Sequence, residues 1–267
     1  MNDRVSISVA DGVADVRLAR PEKMNALDPA MFHALSAAGE RLKTEAALRA
    51  VVLSGEGRAF CAGLDMATFA AMDAKEASAM RDLKARTHGL ANLFQHVAWV
   101  WREVPVPVIA AVHGVAFGGG FQIMLGADIR YVAPDTQLSI MEIKWGLVPD
   151  MAGTQLMRSL VREDIVRELT YTGRVFSGIE AQQYGFATRV SDDPRRVAFE
   201  TAREIAAKSP HAIRAAKRLL NGASSSTAAE ALLAESIEQQ ALIGSPNQLE
   251  AVYANMQKRA PRFTDPQ

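Results

Sequence analysis

The amino-acid sequence predicts an α/β fold, because short apolar runs alternate along the chain with longer segments of helical character. The apolar runs at 48–54, 106–112 and 129–132 have the length and composition of buried strands. Residues 66–100 and 118–127, which lie between these runs and contain no proline, are predicted to be helical. An order of strand, helix, strand, helix, strand is typical of a sheet that is covered by helices.

The N-terminal segment predicts a β-hairpin followed by a helix. Apolar and polar residues alternate at 5–9 and at 13–18, and the Asp-Gly pair at 11–12 between them favours a tight turn. Asp28 directly precedes a proline, which is the usual order of an N-cap and a first helical position. We therefore expect a helix over about 29–43.

The last third of the chain predicts a helical region. From about Pro194 onward, Ala, Glu and Lys recur at helical spacing, and the polar run at 221–227 predicts a linker between two helices. We therefore expect a core of residues 1–195 and a helical region of residues 196–267. Apolar residues recur among the charges of 228–263, as is typical of helices that pack on a neighbour or on their own core.

Composition argues against several classes of partner. Lys plus Arg and Asp plus Glu both number 30, so the basic surplus of a nucleic-acid-binding protein is missing, and we expect no nucleic-acid partner. Cys61 is the only cysteine, which excludes an intrachain disulfide and a Cys-rich metal site, and we expect no bound metal. The apolar stretch 104–115 is too short to cross a bilayer, so we expect no membrane partner. The first residues lack a signal-peptide pattern, so we expect a cytoplasmic protein.

Two glycine-containing loops each follow a predicted buried strand. Residues 58–65 read Arg-Ala-Phe-Cys-Ala-Gly-Leu-Asp, and residues 113–120 read His-Gly-Val-Ala-Phe-Gly-Gly-Gly and open a predicted helix. Helix N-termini present unpaired N–H groups that favour an anion, and two such loops can direct two N–H donors at one oxygen. The alternative is that both are ordinary glycine turns. Neither loop has the spacing of a dinucleotide-binding or P-loop sequence.

Six sequence blocks, in this order, resemble the crotonase superfamily, which is the enoyl-CoA hydratase/isomerase family. The blocks lie at 20–27, 61–65, 114–120, 126–130, 141–150, and 254–255 with 258–263. The resemblance implies an acyl-coenzyme A enzyme with a core of repeated ββα units. It also implies a C-terminal helical region that builds homotrimers, often paired as hexamers. No prosthetic group is implied, because coenzyme A enters as part of the thioester substrate.

The same resemblance implies two sets of site residues. The oxyanion donors are the N–H groups of Leu64 and Gly119. The coenzyme A site is lined by backbone around Lys23, Ala26, Leu27, Ala62 and Asp65, and Lys258 and Phe263 contact coenzyme A from a neighbouring region.

Carboxylates that move protons separate the reactions of this family. Removal of a proton next to a thioester carbonyl forms an enolate, and Glu142 is the candidate base. Hydratases of the family have a pattern of two glutamates. In this sequence Gln122 stands at the position of the first glutamate, and glutamine cannot exchange protons near neutral pH. Asp150 lies eight residues after Glu142, and this pair resembles the dienoyl-CoA isomerase branch. That branch, however, also carries an acid at the Gln122 position.

We therefore expect enoyl- or dienoyl-CoA isomerisation by proton transfer, with Glu142, Asp150 and Gln122 as catalytic candidates. Hydration is the alternative, and hydrolysis or decarboxylation on the same scaffold, or acyl-CoA binding without catalysis, stay open. Asp150 has an equally good alternative as the N-cap of a following helix.

Overall fold

A six-stranded sheet carries the two glycine-containing loops. The structure, a computed structural model, describes residues 4–70 and 82–266. The first sheet has the order β1-β2-β3-β4-β6-β9, in which β1 and β2 are antiparallel and the other neighbours are parallel. Its strands are β1 (Val5–Ala10), β2 (Val13–Leu18), β3 (Ala50–Gly55), β4 (Val108–Val112), β6 (Ile129–Val132) and β9 (Arg189–Val190).

A second, three-stranded sheet begins immediately after β4. It contains β5 (Val115–Phe117), β7 (Gln137–Ser139) and β8 (Phe176–Ser177), with β5 and β7 parallel and β7 and β8 antiparallel. Because β5 and β7 are adjacent, the segments that follow them leave this sheet side by side.

Helices fill the connections and form the C-terminal region. The described helices are α1 (Pro29–Lys43), α2 (Met66–Ala70), α3 (Leu93–Glu103), α4 (Gly119–Leu125), α5 (Gly153–Met157), α6 (Glu163–Thr172), α7 (Gly178–Tyr184), α8 (Pro194–Ala206), α9 (Pro210–Ala223), α10 (Ala228–Leu242) and α11 (Pro246–Met256). Short 3₁₀ turns span Pro21–Lys23 and Glu142–Trp145.

The first sheet is buried on both faces. Val51 and Leu53 of β3 belong to the larger core with Trp101, whereas Val52 points to the other face and packs with Val197 and Ala198 of α8. Burial on both faces explains why β3 appears in the sequence as a continuous apolar run. The predicted division at residue 195 falls inside α8, which covers this second face.

The N-terminal predictions are confirmed. β1 and β2 pair as a hairpin, and Asp11 and Gly12 both have positive φ, as a tight two-residue turn requires. Helix α1 begins at Pro29, and the Asp28 carboxylate accepts the Met31 N–H at 2.8 Å. The predicted mixed α/β fold with a helical C-terminal region is likewise confirmed.

The prediction of a helix over residues 66–100 is wrong in its middle part. Residues 82–92 are not helical; His88 and Ala91 exchange backbone hydrogen bonds around Gly89, which has positive φ. Asn92 then begins α3 with a capping box that returns the chain to a helix. The remainder of the prediction, at 71–81, lies outside the described residues.

The predicted linker at 221–227 is shorter than expected, because α9 continues to Ala223. Thr227 is the N-cap of α10, so only the residues between them are non-helical. Helix α9 is fixed to the core by the buried ammonium of Lys217, which donates to the Trp101 carbonyl at 3.0 Å and the Asp128 carboxylate at 2.7 Å. Among the described helices, none has the length and apolar character needed to cross a membrane.

Candidate active site

The two glycine-containing loops are joined by a short parallel bridge between Cys61 and Ala116. The Cys61 N–H donates to the Val115 carbonyl at 3.1 Å, and the Phe117 N–H donates to the Cys61 carbonyl at 3.1 Å. The loop after β3 therefore lies beside β5 and the start of α4. Burial raises the pKa of the Cys61 thiol to about 12, so this cysteine stays neutral and unreactive.

Two glycines permit this close approach. A Cβ atom at Gly63 would lie 2.6 Å from the Phe117 carbonyl oxygen, and Gly63 has positive φ. A Cβ atom at Gly120 would lie 2.3 Å from the Cys61 carbonyl oxygen. Because both obstacles are backbone atoms that cannot move aside, the two loops touch only when these positions lack a side chain.

The two predicted oxyanion donors border one cavity. Leu27 forms hydrogen bonds with the residues on either side of Leu64, since its N–H donates to the Gly63 carbonyl and its carbonyl accepts the Asp65 N–H. Gly119 is the first residue of α4, where a backbone N–H has no acceptor within the helix. Within residues 4–70 and 82–266, neither the Leu64 N–H nor the Gly119 N–H donates to a protein acceptor.

The cavity has a volume of about 570 Å³ and mainly apolar walls. Its apolar side chains include Phe32, Leu83, Phe94, Met141, Trp145, Leu147, Val148 and Met151. The carboxylates that border it among the described residues are those of Glu142 and Asp150. An apolar chamber with two N–H donors and two acids is suited to a substrate with an apolar tail and a polarisable carbonyl.

The second sheet determines the position of Glu142. The Gly118 N–H donates to the Ser139 carbonyl at 3.0 Å, so the turn that follows β7 lies directly beside the start of α4. A Cβ atom at Gly118 would lie 3.3 Å from Glu142 Oε1, and this glycine has positive φ. The carboxylate is buried, and its Oε2 atom has no hydrogen-bond partner among the described residues.

Desolvation raises the pKa values of both Glu142 and Asp150 toward neutral pH. Burial raises the pKa of Glu142, and the negative charge of Asp150 raises it further, whereas the hydrogen bond from Gln122 opposes the shift. The Asp150 side chain is open to the cavity, yet the surrounding protein desolvates it and raises its pKa as well. A raised pKa makes each carboxylate a better proton carrier near neutral pH.

Gln122 lies behind Glu142, fully buried, and is absent from the cavity wall. Its Nε2 donates to Glu142 Oε1 at 2.6 Å, and its Oε1 accepts the N–H groups of Met151 and Gly153, both at 2.9 Å. The sequence-based assignment of Gln122 as a catalytic residue is therefore revised, because its amide contacts protein atoms and not the cavity.

Asp150 does not cap a helix. Helix α5 begins at Gly153, and the residue at its N-cap position is Ala152, which makes no side-chain cap. The alternative role predicted for Asp150 as an N-cap is therefore wrong, and its side chain borders the cavity instead.

The residues predicted to line the coenzyme A site gather beside the first loop. The Ala62 N–H donates to the Met24 carbonyl at 2.9 Å, Ala62 itself borders the cavity, and Lys23 is exposed at the end of its 3₁₀ turn. Leu27 reaches Gly119, where a Cβ atom would lie 2.8 Å from Leu27 Cδ1.

Arg20, to which the sequence assigned no role, holds this region together. Its Nη1 donates to the Ala26 carbonyl at 3.0 Å and pairs with Asp65 Oδ2 at 2.8 Å, and both charged side chains are buried. The Asp65 carboxylate is thus paired with a buried guanidinium of the protein itself. A charged residue at the end of an apolar strand was the signal that could have indicated a buried ion pair.

Lys258 and Phe263 lie away from the cavity within one chain. The Phe263 carbonyl is 3.5 Å from Nη2 of Arg49, which precedes β3, whereas the loop 58–65 follows β3. Lys258 is exposed just after α11. Neither residue borders the cavity.

A separate cluster has the composition of a cation site. Glu40, His96 and Glu103 place ligand atoms within 4.8 Å of one another. The Lys43 ammonium, however, bonds both carboxylates at 2.9 Å and supplies the positive charge. The cluster is therefore satisfied by the protein itself.

The comparisons with known proteins agree with this geometry. The family model described as Enoyl-CoA hydratase/isomerase matches residues 8–266. The chain is 31% identical over 253 residues to the mitochondrial Delta(3,5)-Delta(2,4)-dienoyl-CoA isomerase of Mus musculus, covering 92% of this chain and 77% of that protein. It is 32% identical over 257 residues to the probable enoyl-CoA hydratase echA8 of Mycobacterium tuberculosis, covering 94% of each.

Solved structures give the same fold. An enoyl-CoA hydratase from Bacillus anthracis superposes with a TM-score of 0.88 at 29% identity, covering 97% of this chain and 98% of that one. A putative enoyl-CoA hydratase/isomerase from Mycobacterium abscessus also gives a TM-score of 0.88, at 30% identity and with 97% and 99% coverage.

The coupling between the two acids predicts a pH effect. In Asp150→Asn the neighbouring negative charge is lost, so the pKa of Glu142 falls, because that charge raises it in the wild type. Activity that needs ionised Glu142 rises with pH through this pKa, so the acidic limb of kcat/KM should move to lower pH, whatever the residual rate. Asp192→Asn, at an exposed carboxylate, should leave the limb in place. A limb that stays or moves upward in Asp150→Asn would contradict the coupling.

Proposed function

Because this chain belongs to the enoyl-CoA hydratase/isomerase family, we propose that it forms the enolate of an acyl-CoA thioester and moves the proton with Glu142. The observation that supports this most is one shared cavity. It is bordered by the Leu64 and Gly119 N–H donors and by the buried Glu142 carboxylate; among the described residues, neither donor has an acceptor and Glu142 Oε2 has no partner. These are the groups that proton removal next to a carbonyl requires.

The oxyanion donors supply the larger part of the stabilisation. As the bond between the α carbon and its proton breaks, the electron pair moves toward the thioester oxygen, and the N–H groups of Leu64 and Gly119 at the cavity border are the donors for the resulting charge. Loss of one such donor typically costs about 3–4 kcal/mol of transition-state stabilisation. Because the donors are backbone groups fixed by the bridge between the loops, they need no reorganisation during the reaction.

Isomerisation is the reaction we favour. Glu142 takes the α proton, the enolate delocalises along the chain, and a proton returns at a distant carbon, which moves the double bond. Asp150, with its raised pKa, is the candidate for the second proton position. Gln122 cannot supply or take a proton and is turned away from the cavity, so the second acid of a two-glutamate hydratase is missing.

Hydration is the second candidate. Two carboxylates border the cavity, and relatives of similar identity carry the name hydratase, including methylglutaconyl-CoA hydratase of Mus musculus. In that case Asp150 would take the place of the missing acid and Glu142 would activate the water.

Substrate placement follows from the cavity and its rim. We assign the acyl chain to the apolar chamber and the coenzyme A portion to the backbone of 23–27 and 62–65. Ala62 connects the two because it borders the chamber and bonds the Met24 carbonyl. Hydrolysis and decarboxylation would use the same oxyanion donors.

The C-terminal helices support a homotrimer, or a hexamer of two trimers. No residue of α10, which the structure describes throughout, is buried. Apolar side chains on α10, on α11 and between them are more than half exposed: Leu232, Leu233, Ile237, Ile243, Tyr253 and Met256. Exposed apolar faces of this kind are typical of interfaces between subunits.

Assembly is tested by light scattering. We expect a trimer or hexamer at micromolar concentration, and Leu233→Glu should weaken it, because a charge would enter an apolar contact. Glu235→Lys, at an exposed charged position of the same helix, should weaken it less. A wild-type monomer at micromolar concentration contradicts the assembly.

The reaction is tested with a panel of enoyl- and dienoyl-CoA substrates in deuterated water, followed by chromatography with mass spectrometry. We expect products with a new retention time and no mass of added water. Glu142→Gln should lower the rate by about 10²–10⁴-fold, because it removes a general base and preserves shape. Glu200→Gln, at an exposed position of α8, serves as the control.

Products heavier by one water would replace isomerisation with hydration. A Glu142→Gln variant with wild-type rates on every substrate would remove Glu142 from the mechanism.

A further inference from the structure

Gln122 is a buried polar side chain that connects the candidate base to the segment 151–153, whose Met151 also borders the cavity. It lies on α4, its side chain is fully buried, and it makes three hydrogen bonds to protein. Two of them reach residues 151 and 153, which belong to a different segment from Glu142.

The orientation of the Gln122 amide is fixed by its partners. The N–H groups of Met151 and Gly153 can only donate, so the oxygen of the amide must face them. The amide nitrogen then faces Glu142 and donates to Oε1. The reversed amide would place its own donors against two backbone donors and lose both bonds.

In this orientation of the amide, the two carboxylate oxygens of Glu142 differ in their hydrogen bonds. Oε1 accepts a hydrogen bond at 2.6 Å, whereas Oε2 has no partner among the described residues. A proton on Oε1 would meet the N–H of Gln122, so Oε2 is the oxygen on which a proton can stay.

The same amide also holds the segment 151–153. A Cβ atom at Gly153 would lie 2.5 Å from Gln122 Oε1, so the backbone here passes directly over the amide. Ala152 between the two bonded residues has positive φ, a conformation that needs external support. Met151 in turn contacts Gly119, where a Cβ atom would lie 2.7 Å from Met151 Sδ.

We infer that Gln122 is a positioning residue that makes Glu142 a single-oxygen base and couples its carboxylate to the segment 151–153 beside the oxyanion donor Gly119. The catalytic role in this inference rests on the proposed function, whereas the hydrogen bonds of Gln122 are present in the substrate-free protein.

The inference is tested by titrating Glu142 in the substrate-free protein. The carboxyl band is followed by infrared spectroscopy against pH and is assigned by its loss in Glu142→Gln. In Gln122→Glu the two backbone N–H groups keep their acceptor, but the donor to Glu142 is replaced by a second acid. Because two carboxylates that share a site cannot both ionise easily, the titration midpoint should rise by at least about one pH unit.

Gln122→Met removes the donor without adding a charge and should raise the midpoint by a smaller amount. Gln122→Met is also the test variant if Gln122→Glu does not fold. Gln182→Glu, at an exposed position of α7, should leave the midpoint unchanged. A midpoint that stays or falls in both Gln122 variants overturns the inference.

Kinetics separate this inference from the proposed function. If the wild type processes acyl-CoA, the acidic limb of kcat/KM in Gln122→Glu should move upward together with the infrared midpoint. A rise of one unit lowers the rate below the limb by about tenfold. If no acyl-CoA reacts but the midpoint still shifts, the proposed function fails and the positioning role of Gln122 stands. If acyl-CoA reacts and neither quantity shifts, only the positioning role fails.

Discussion

The backbone bridge between Cys61 and Ala116 is the constraint on which the rest of the site depends. Parallel neighbours β3 and β4 end at the same edge of the first sheet, so the loops that follow them emerge side by side. The bridge then fixes one loop against the other at hydrogen-bond distance, and glycine at positions 63 and 120 removes the side chains that would separate them. As a geometric consequence, the N–H groups of Leu64 and Gly119 lie at one cavity, and no acceptor for them is found in the part of the chain that the structure describes.

The second sheet places the Glu142 carboxylate beside the two bridged loops. Adjacent β5 and β7 deliver Gly118 and Glu142 to one place, and burial there raises the pKa of the carboxyl group. A buried carboxylate with one oxygen that lacks a partner among residues 4–70 and 82–266 is unfavourable for stability, and the surrounding core offsets this cost. The site therefore keeps a charged group poorly solvated until a substrate provides a partner. The same arrangement explains why Gln122 matters, because its amide donates to one oxygen of that buried carboxylate at 2.6 Å.

Sequence reasoning succeeded where the determinants are local. The hairpin turn at 11–12, the Asp28 cap of α1 and the buried strand β3 follow from neighbouring residues. It failed where distant segments decide. The direction of the Gln122 amide depends on the N–H groups of residues 151 and 153, and the ion pair of Arg20 depends on a loop that follows two further elements. The turn at 82–92 was missed because its residues lack proline and resemble their helical neighbours. The places of Lys258 and Phe263 depend on how the C-terminal segment folds back near Arg49.

The central claim is that the N–H groups of Leu64 and Gly119 hold a thioester oxygen. Infrared spectroscopy of an acyl-CoA with a ¹³C-labelled thioester carbonyl, bound to Glu142→Gln so that it does not react, tests this most directly. Two donors polarise the carbonyl, so its stretching frequency should fall below the value in water. Adding Gly119→Val should reverse most of the fall, because the new side chain would collide with Met151 Sδ and Leu27 Cδ1 and displace the N–H donor. A bound carbonyl with the frequency seen in water, or one that Gly119→Val leaves unchanged, would contradict the account.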